Sequence, residues 1–238
     1  MATRRPVQVY LDLLSQPCRA LHVLLSCTGV PHTVRPVALR KGENRTPEFT
    51  KLNPMQKVPV MEDNGFVLTE SDAIMKYLCN RYDVPEHWYP RQPERRARVD
   101  EYTAWHHTNT RPHAARVFIL EVLLPSQTGS PVDEARLIRA VSQLEDTLDQ
   151  LESMFLGRQP FLCGDDISVA DLLAVCELMQ PLGGGARCHG AASSAATLEE
   201  QSPGGRGRGL PPSARRPVRR QGAPPGQAVT SQRPRPPE

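Results

Sequence analysis

Three short segments hold residue types suited to binding an anion or activating a thiol. The first, Ser15-Gln16-Pro17-Cys18, lies where an alternating apolar run gives way to a helical one. A hydroxyl and unpaired N–H groups at a helix start stabilise an anion, because the donors point outward and the helix dipole adds positive potential. A thiol bound at such a corner ionises more readily. The same serine also suits a plain capping role ahead of Pro17, and the motif by itself leaves both open. The second segment is Val58-Pro59. A cis proline here would present the main-chain N–H and C=O of Val58 to an extended peptide ligand; the other reading is an ordinary proline at a strand start. The third, Glu70-Ser71, falls at a strand-to-helix turn. Ser71 can simply cap the helix, or its hydroxyl and amide can hold a carboxylate while Glu70 pairs with an ammonium.

The elements that must position these segments alternate between strand-like and helical patterns over the first eighty or so residues, as when helices cover a sheet. Val7, Val9 and Leu11 alternate with polar residues in a first strand. Ala20, Leu21, Leu24 and Leu25 recur at helical spacing, and Gly29 ends that helix. A second strand fits 32–36. VPVME at 58–62 and FVLT at 66–69 read as a hairpin joined through Asp63-Asn64-Gly65. A helix from Ser71 towards Tyr82 follows, burying Ile74, Tyr77 and Leu78.

After a proline-containing connector the pattern is helical only. Residues 93–124 are periodic but interrupted at Pro112, where the missing amide hydrogen and the ring predict a kink. Residues 133–156 place Leu137, Val141, Leu144, Leu148, Leu151 and Phe155 on one stripe. In ISVADL, Ser168 is expected at the N-cap with Asp171 reaching back from the third helical position and Ile167 stapled onto Leu172. Both polar residues are read as structural. Pro181 and Gly183-Gly184-Gly185 are expected to stop this helix.

Residues 183–238 hold 10 of the 16 glycines and 9 of the 24 prolines, with no Phe, Tyr or Trp, so they cannot bury a core and are expected to be disordered. The formal net charge of +3 belongs to this tail, whose arginine clusters at Arg215-Arg216 and Arg219-Arg220 lack the aromatic residues that would stack on bases. No specific nucleic-acid partner is expected. No apolar run is long enough to span a membrane, and the first residues lack a signal-peptide pattern. Six cysteines, Cys18, Cys27, Cys79, Cys163, Cys176 and Cys188, are scattered with no CxxC pair, which predicts reduced thiols in a cytoplasmic protein and no metal.

LDLLSQPCRA at 11–20, NPMQKVPVME at 53–62, LTESDAIMKYL at 68–78 and RARVDEYTAWHH at 96–107 together resemble theta-class glutathione transferases over roughly residues 7–182. The resemblance implies an α/β thioredoxin-like N-terminal domain (1–83), a linker (84–92), an all-α helical C-terminal domain, truncated (93–182), and then the disordered tail. It implies a cytoplasmic homodimer acting in detoxification, with glutathione as co-substrate and no resident cofactor. Glutathione would be conjugated to small electrophiles such as alkyl halides, epoxides or sulfate esters. By this likeness Ser15 donates to the glutathione sulfur and favours thiolate. Val58 pairs with the cysteinyl backbone beside cis Pro59, Glu70 and Ser71 take the γ-glutamyl end, and Lys57 takes the glycyl carboxylate. Asn44 stands where the family commonly has a glutathione-contacting histidine, and can supply a hydrogen bond but no charge. Arg111 falls where the family has an arginine facing the electrophile; a solvated helix arginine is its plain reading. Trp105, His106 and His107 are read as packing or dimer contact.

The tail departs from the family, in which further helices follow ISVADL and the last covers the electrophile site. A second reading is therefore a truncated, catalytically weak or inactive glutathione-binding variant without that lid. The tail composition fits an out-of-frame reading of a GC-rich end, which sequencing the transcript would test. Loss of later helices predicts unpartnered Leu and Val on the 133–156 and 168–180 helices, and with them a weakened domain. Glutaredoxin-like exchange through Cys18 would need an exposed thiolate, whereas Cys18 is expected to be buried one turn into the helix.

Overall fold

The alternation of Val7, Val9 and Leu11 with polar residues becomes strand β1 (Val7–Leu11), with all three apolar side chains buried. In this computed structural model, which describes residues 5–183, β1 leads into helix α1 (Gln16–Thr28) and then β2 (His32–Pro36). Gly29 closes α1 in the left-handed region at φ 65°, a conformation that costs glycine little. A short helix α2 (Pro47–Leu52) precedes β3 (Val60–Asp63) and β4 (Phe66–Thr69), then α3 (Ser71–Arg81). Asn64 and Gly65, both at positive φ, make the two-residue turn that the hairpin reading required.

The sheet order is β2-β1-β3-β4, with β1 parallel to β2 and antiparallel to β3, and β3 antiparallel to β4. This parallel unit followed by a hairpin and α3 is the thioredoxin-like arrangement. A short 3-10 turn at Glu86–Trp88 lies within the expected linker and buries Trp88.

The helical part comprises α4 (Pro93–His106), α5 (Thr110–Phe118), α6 (Leu124–Thr128), α7 (Glu134–Leu151) and α8 (Val169–Gly183). Two single π-turns, Ile119–Leu123 and Glu152–Leu156, extend α5 and α7. The kink expected at Pro112 is absent. The chain breaks instead between α4 and α5, which puts Pro112 in the first turn of α5, where its amide would have had no intrahelical partner. Pro181 by itself does not stop α8, which runs through it to Gly183, because it removes one amide and leaves the preceding turns intact; Gly184 and Gly185 lie outside the described residues.

The apolar faces expected to lose partners are buried. Leu144 and Leu151 on α7, and Leu172 and Leu178 on α8, are all at most 1% exposed, because α8 packs against α1, α4 and α5 while α7 packs against α5. Partners already present among the described residues fill those faces. The tail expectation, and any helix beyond α8, lies outside the described residues.

Candidate active site

A polar cavity of about 310 Å³ opens between the β3 and α3 ends and the start of α5, walled by Asn53, Lys57, Val58, Pro59, Glu70, Ser71, His107 and Arg111. Its floor comes from local backbone chemistry. Ser71 opens α3, is 2% exposed, and its Oγ has no hydrogen-bond partner. Buried hydroxyls are ordinarily paired, so this one is free to bond a ligand. Glu70, the N-cap, holds φ at 67° without using its side chain as a cap, leaving its carboxylate exposed at the helix N-terminus. The Val58–Pro59 bond is cis.

The loop carrying Lys57 is clamped from below. Asn53 donates from Nδ2 to the Lys57 carbonyl at 2.8 Å and accepts the Met55 amide at 3.0 Å, while Gln56 turns through φ 55°. Asn44 lies outside the cavity wall. Its Nδ2 donates to the Gln56 carbonyl at 2.8 Å, so it braces the Lys57 loop.

Ser15 is the N-cap of α1, yet its hydroxyl makes no capping bond, so the plain capping reading does not hold. It lines a second, apolar pocket of about 480 Å³ with Leu14, Ala115, Phe118, Ile119 and Leu123. Arg111 of the polar cavity and Ala115 of this pocket are one turn apart on α5, so that helix borders both. Arg19 holds the Ser15 corner from behind. Its Nη1 donates to the Leu13 carbonyl at 3.0 Å, and its Nη2 to the Cys176 carbonyl at 3.1 Å and to Gln180 Oε1 at 2.6 Å, tying the corner to α8. Cys18 is fully buried, and burial pushes its thiol up despite the opposing influence of the Ser15 hydroxyl. A thiol so placed is a poor source of thiolate for exchange chemistry.

Beneath the cavity lies a buried charge cluster. Glu177 on α8, 2% exposed, places Oε1 3.5 Å from Arg111 Nε and 4.0 Å from His106 Nε2. Burial raises the Glu177 carboxyl to about 7, against the lowering influence of Arg111 and Arg19. Burial, with Arg111 and His107 adding to it, lowers His106 to about 3. His106 is therefore neutral at neutral pH, and Arg111 is the cation that Glu177 meets. Among the described residues no group of three or more His, Cys, Asp or Glu side chains could hold a metal ion, and no helix is long and apolar enough to cross a membrane.

The same arrangement of elements occurs in known proteins. Residues 15–81 match the glutathione S-transferase N-terminal domain. The chain is 46% identical over 179 residues to glutathione S-transferase theta-1 of Bos taurus, covering 75% of each chain. The chain belongs to the theta-class glutathione transferases. Its fold superposes on human glutathione S-transferase T1-1, apo form, with a TM-score of 0.78 at 42% identity, covering 82% of each chain. A human theta-class transferase solved with the glutathione conjugate of 1-menaphthyl sulfate superposes with a TM-score of 0.73 at 34% identity, covering 82% of this chain and 90% of that one.

Within this theta-class chain, Lys57, Val58, Glu70, Ser71 and Arg111 share one cavity, Ser15 faces the adjoining pocket, and Asn44 sits one layer behind. Ser168 and Asp171 form the helix-start box on α8, where Asp171 Oδ2 accepts the Ser168 amide at 2.8 Å and hydroxyl at 2.9 Å. Asn53, Arg19, Glu177 and the cavity-facing position of His107 were not legible in the sequence. Asn53 is the C-cap of α2 and is held by bonds within its own loop. A helix arginine and a lone helix glutamate, by contrast, carry no local signal, and the packing of α1, α5 and α8 gives Arg19 and Glu177 their places.

Proposed function

We propose that this chain conjugates reduced glutathione to small electrophiles of the alkyl halide, epoxide or sulfate ester class. The unpartnered, buried Ser71 hydroxyl at the N-terminus of α3 carries this reading. With the α3 amides it binds the γ-glutamyl carboxylate, Glu70 pairs with the γ-glutamyl ammonium, and Lys57 with the glycyl carboxylate. Val58 pairs with the cysteinyl backbone beside Pro59, and Asn44 acts by holding the Lys57 loop. Ser15 then donates to the sulfur, favouring thiolate as the thiol proton passes to solvent. The thiolate attacks a carbon of an electrophile seated in the apolar pocket beside it, forming a C–S bond as halide or sulfate leaves or the epoxide C–O bond opens. Such a substitution asks little of the protein beyond thiolate stabilisation and alignment. Arg111, in the wall of the polar cavity one turn before Ala115 of the apolar pocket, is the candidate that faces the electrophile site. Glutathione is a co-substrate, the protein works as a cytoplasmic homodimer in detoxification, and the free thiols of Cys18, Cys27, Cys79, Cys163 and Cys176 suit a reducing compartment.

A thermal melt of the full chain with and without millimolar glutathione tests the binding half, since a ligand of the native state alone raises apparent stability. An upward shift is expected; a melt indifferent to glutathione would sink the reading. Ser15→Ala is expected to lower conjugation at neutral pH by roughly a hundredfold or more, as for loss of one stabilising donor, while glutathione binding holds. Equal loss of both would make Ser15 structural.

A further inference from the structure

Two charged groups behind the site differ in how fully they are used. Arg19 spends its guanidinium on main-chain carbonyls and Gln180. Glu177 does not saturate itself: one carboxylate oxygen meets Arg111 Nε at 3.5 Å and the other has no partner. His106 offers no compensating bond, since its Nε2 lies 4.0 Å away and is itself unpartnered. A carboxylate 2% exposed with a single long ion pair is a poor stabiliser, because the desolvation of the charge outweighs what one contact returns. The geometry is better suited to orienting the arginine. Arg111 is about one third exposed at 32%, forms part of the cavity wall, and is held at Nε from the buried side.

We infer that Glu177 is a positioning residue for Arg111, gripping its guanidinium from within α8 so that it stands fixed at the cavity wall. Without that grip a long, partly exposed side chain samples rotamers away from the site. The inference rests on the functional reading above.

The test uses the full chain, glutathione and 4-nitrobenzyl chloride, with steady-state kinetics for Glu177→Gln, Arg111→Ala, Arg111→Lys and the Glu177→Gln/Arg111→Ala pair. Glu177→Gln is expected to lower kcat/KM for the halide roughly five- to fiftyfold while the fold is kept, the range of coupling seen for contacting residues. Arg111→Lys, which lacks the Nε fork, should fall alongside it. In the Arg111→Ala background Glu177→Gln should cost nothing further. Effects that multiply across the pair, or a Glu177→Gln variant with unchanged kcat/KM, overturn the inference alone. Loss of the folded state in Glu177→Gln also overturns it by assigning the carboxylate to stability. A wild type that neither binds glutathione nor conjugates the halide overturns the functional reading, and this inference with it.

Discussion

Ser71 illustrates how one side chain can be spared by the fold and used by a ligand. It is the first residue of α3, behind the N-cap Glu70 at positive φ, and its Oγ is buried and unpartnered. Ser71→Ala therefore removes no protein hydrogen bond, and the melting temperature of the unliganded protein is expected to stay within a few degrees. Glutathione affinity is expected to fall roughly 10- to 100-fold, the equivalent of a hydrogen bond to a charged group. Calorimetric titration of the variant checks this, and an unchanged Kd would remove Ser71 from the site.

At the scale of elements, α8 does more than fill the helical layer. Its first turn is locked by Asp171, whose Oδ1 accepts the Leu162 amide at 2.8 Å while Oδ2 takes the amide and hydroxyl of Ser168. Its middle presents Glu177 to Arg111, and its last turns receive Arg19 behind the Ser15 corner. Asp171→Ala leaves two buried amides unpaired, so a stability loss of about 2–4 kcal/mol is expected in urea unfolding. Because α8 seats Arg19 and Glu177, conjugation should weaken with it. A midpoint equal to wild type would mean that the cap does not fasten the helix.

Across the whole molecule, the buried cluster sets opposing pH dependences. Glu177 titrates near 7 in the folded chain against 4.5 for an ordinary glutamate, so between those values the folded state holds the extra proton. Its contribution to stability is full below 4.5 and is lost as pH rises through about 7. His106, lowered from 6.5 to about 3, acts the other way: its contribution is present above 6.5 and is lost as pH falls towards 3. The cluster includes Arg19 from α1, Tyr102 and His106 from α4, and Arg111 from α5. Glu177→Gln removes the first dependence and keeps the second. The melting temperature of the variant relative to wild type is expected to climb from pH 4.5 and level off above about 7. A difference that is flat or falls with pH would contradict the buried carboxylate's effect.

Local pattern alone determined a great deal here. Alternation set β1, Gly29 set the end of α1, Asn64-Gly65 set the hairpin, and the spacing in ISVADL set the α8 start, because each depends on neighbours within a few residues. The same locality placed Ser15, Val58, Glu70 and Ser71 at element junctions. What depended on distant partners was decided only by the tertiary structure. The break came before Pro112, Pro181 was absorbed into the end of α8, and apolar faces expected to be bare were covered by α1, α4 and α5. Asn44 was moved from the cavity wall to the bracing of a loop, and Glu177 was brought beneath Arg111 across 66 residues of sequence. A side chain's burial and its long-range partner are properties of the packed chain, and no spacing rule along the sequence encodes them.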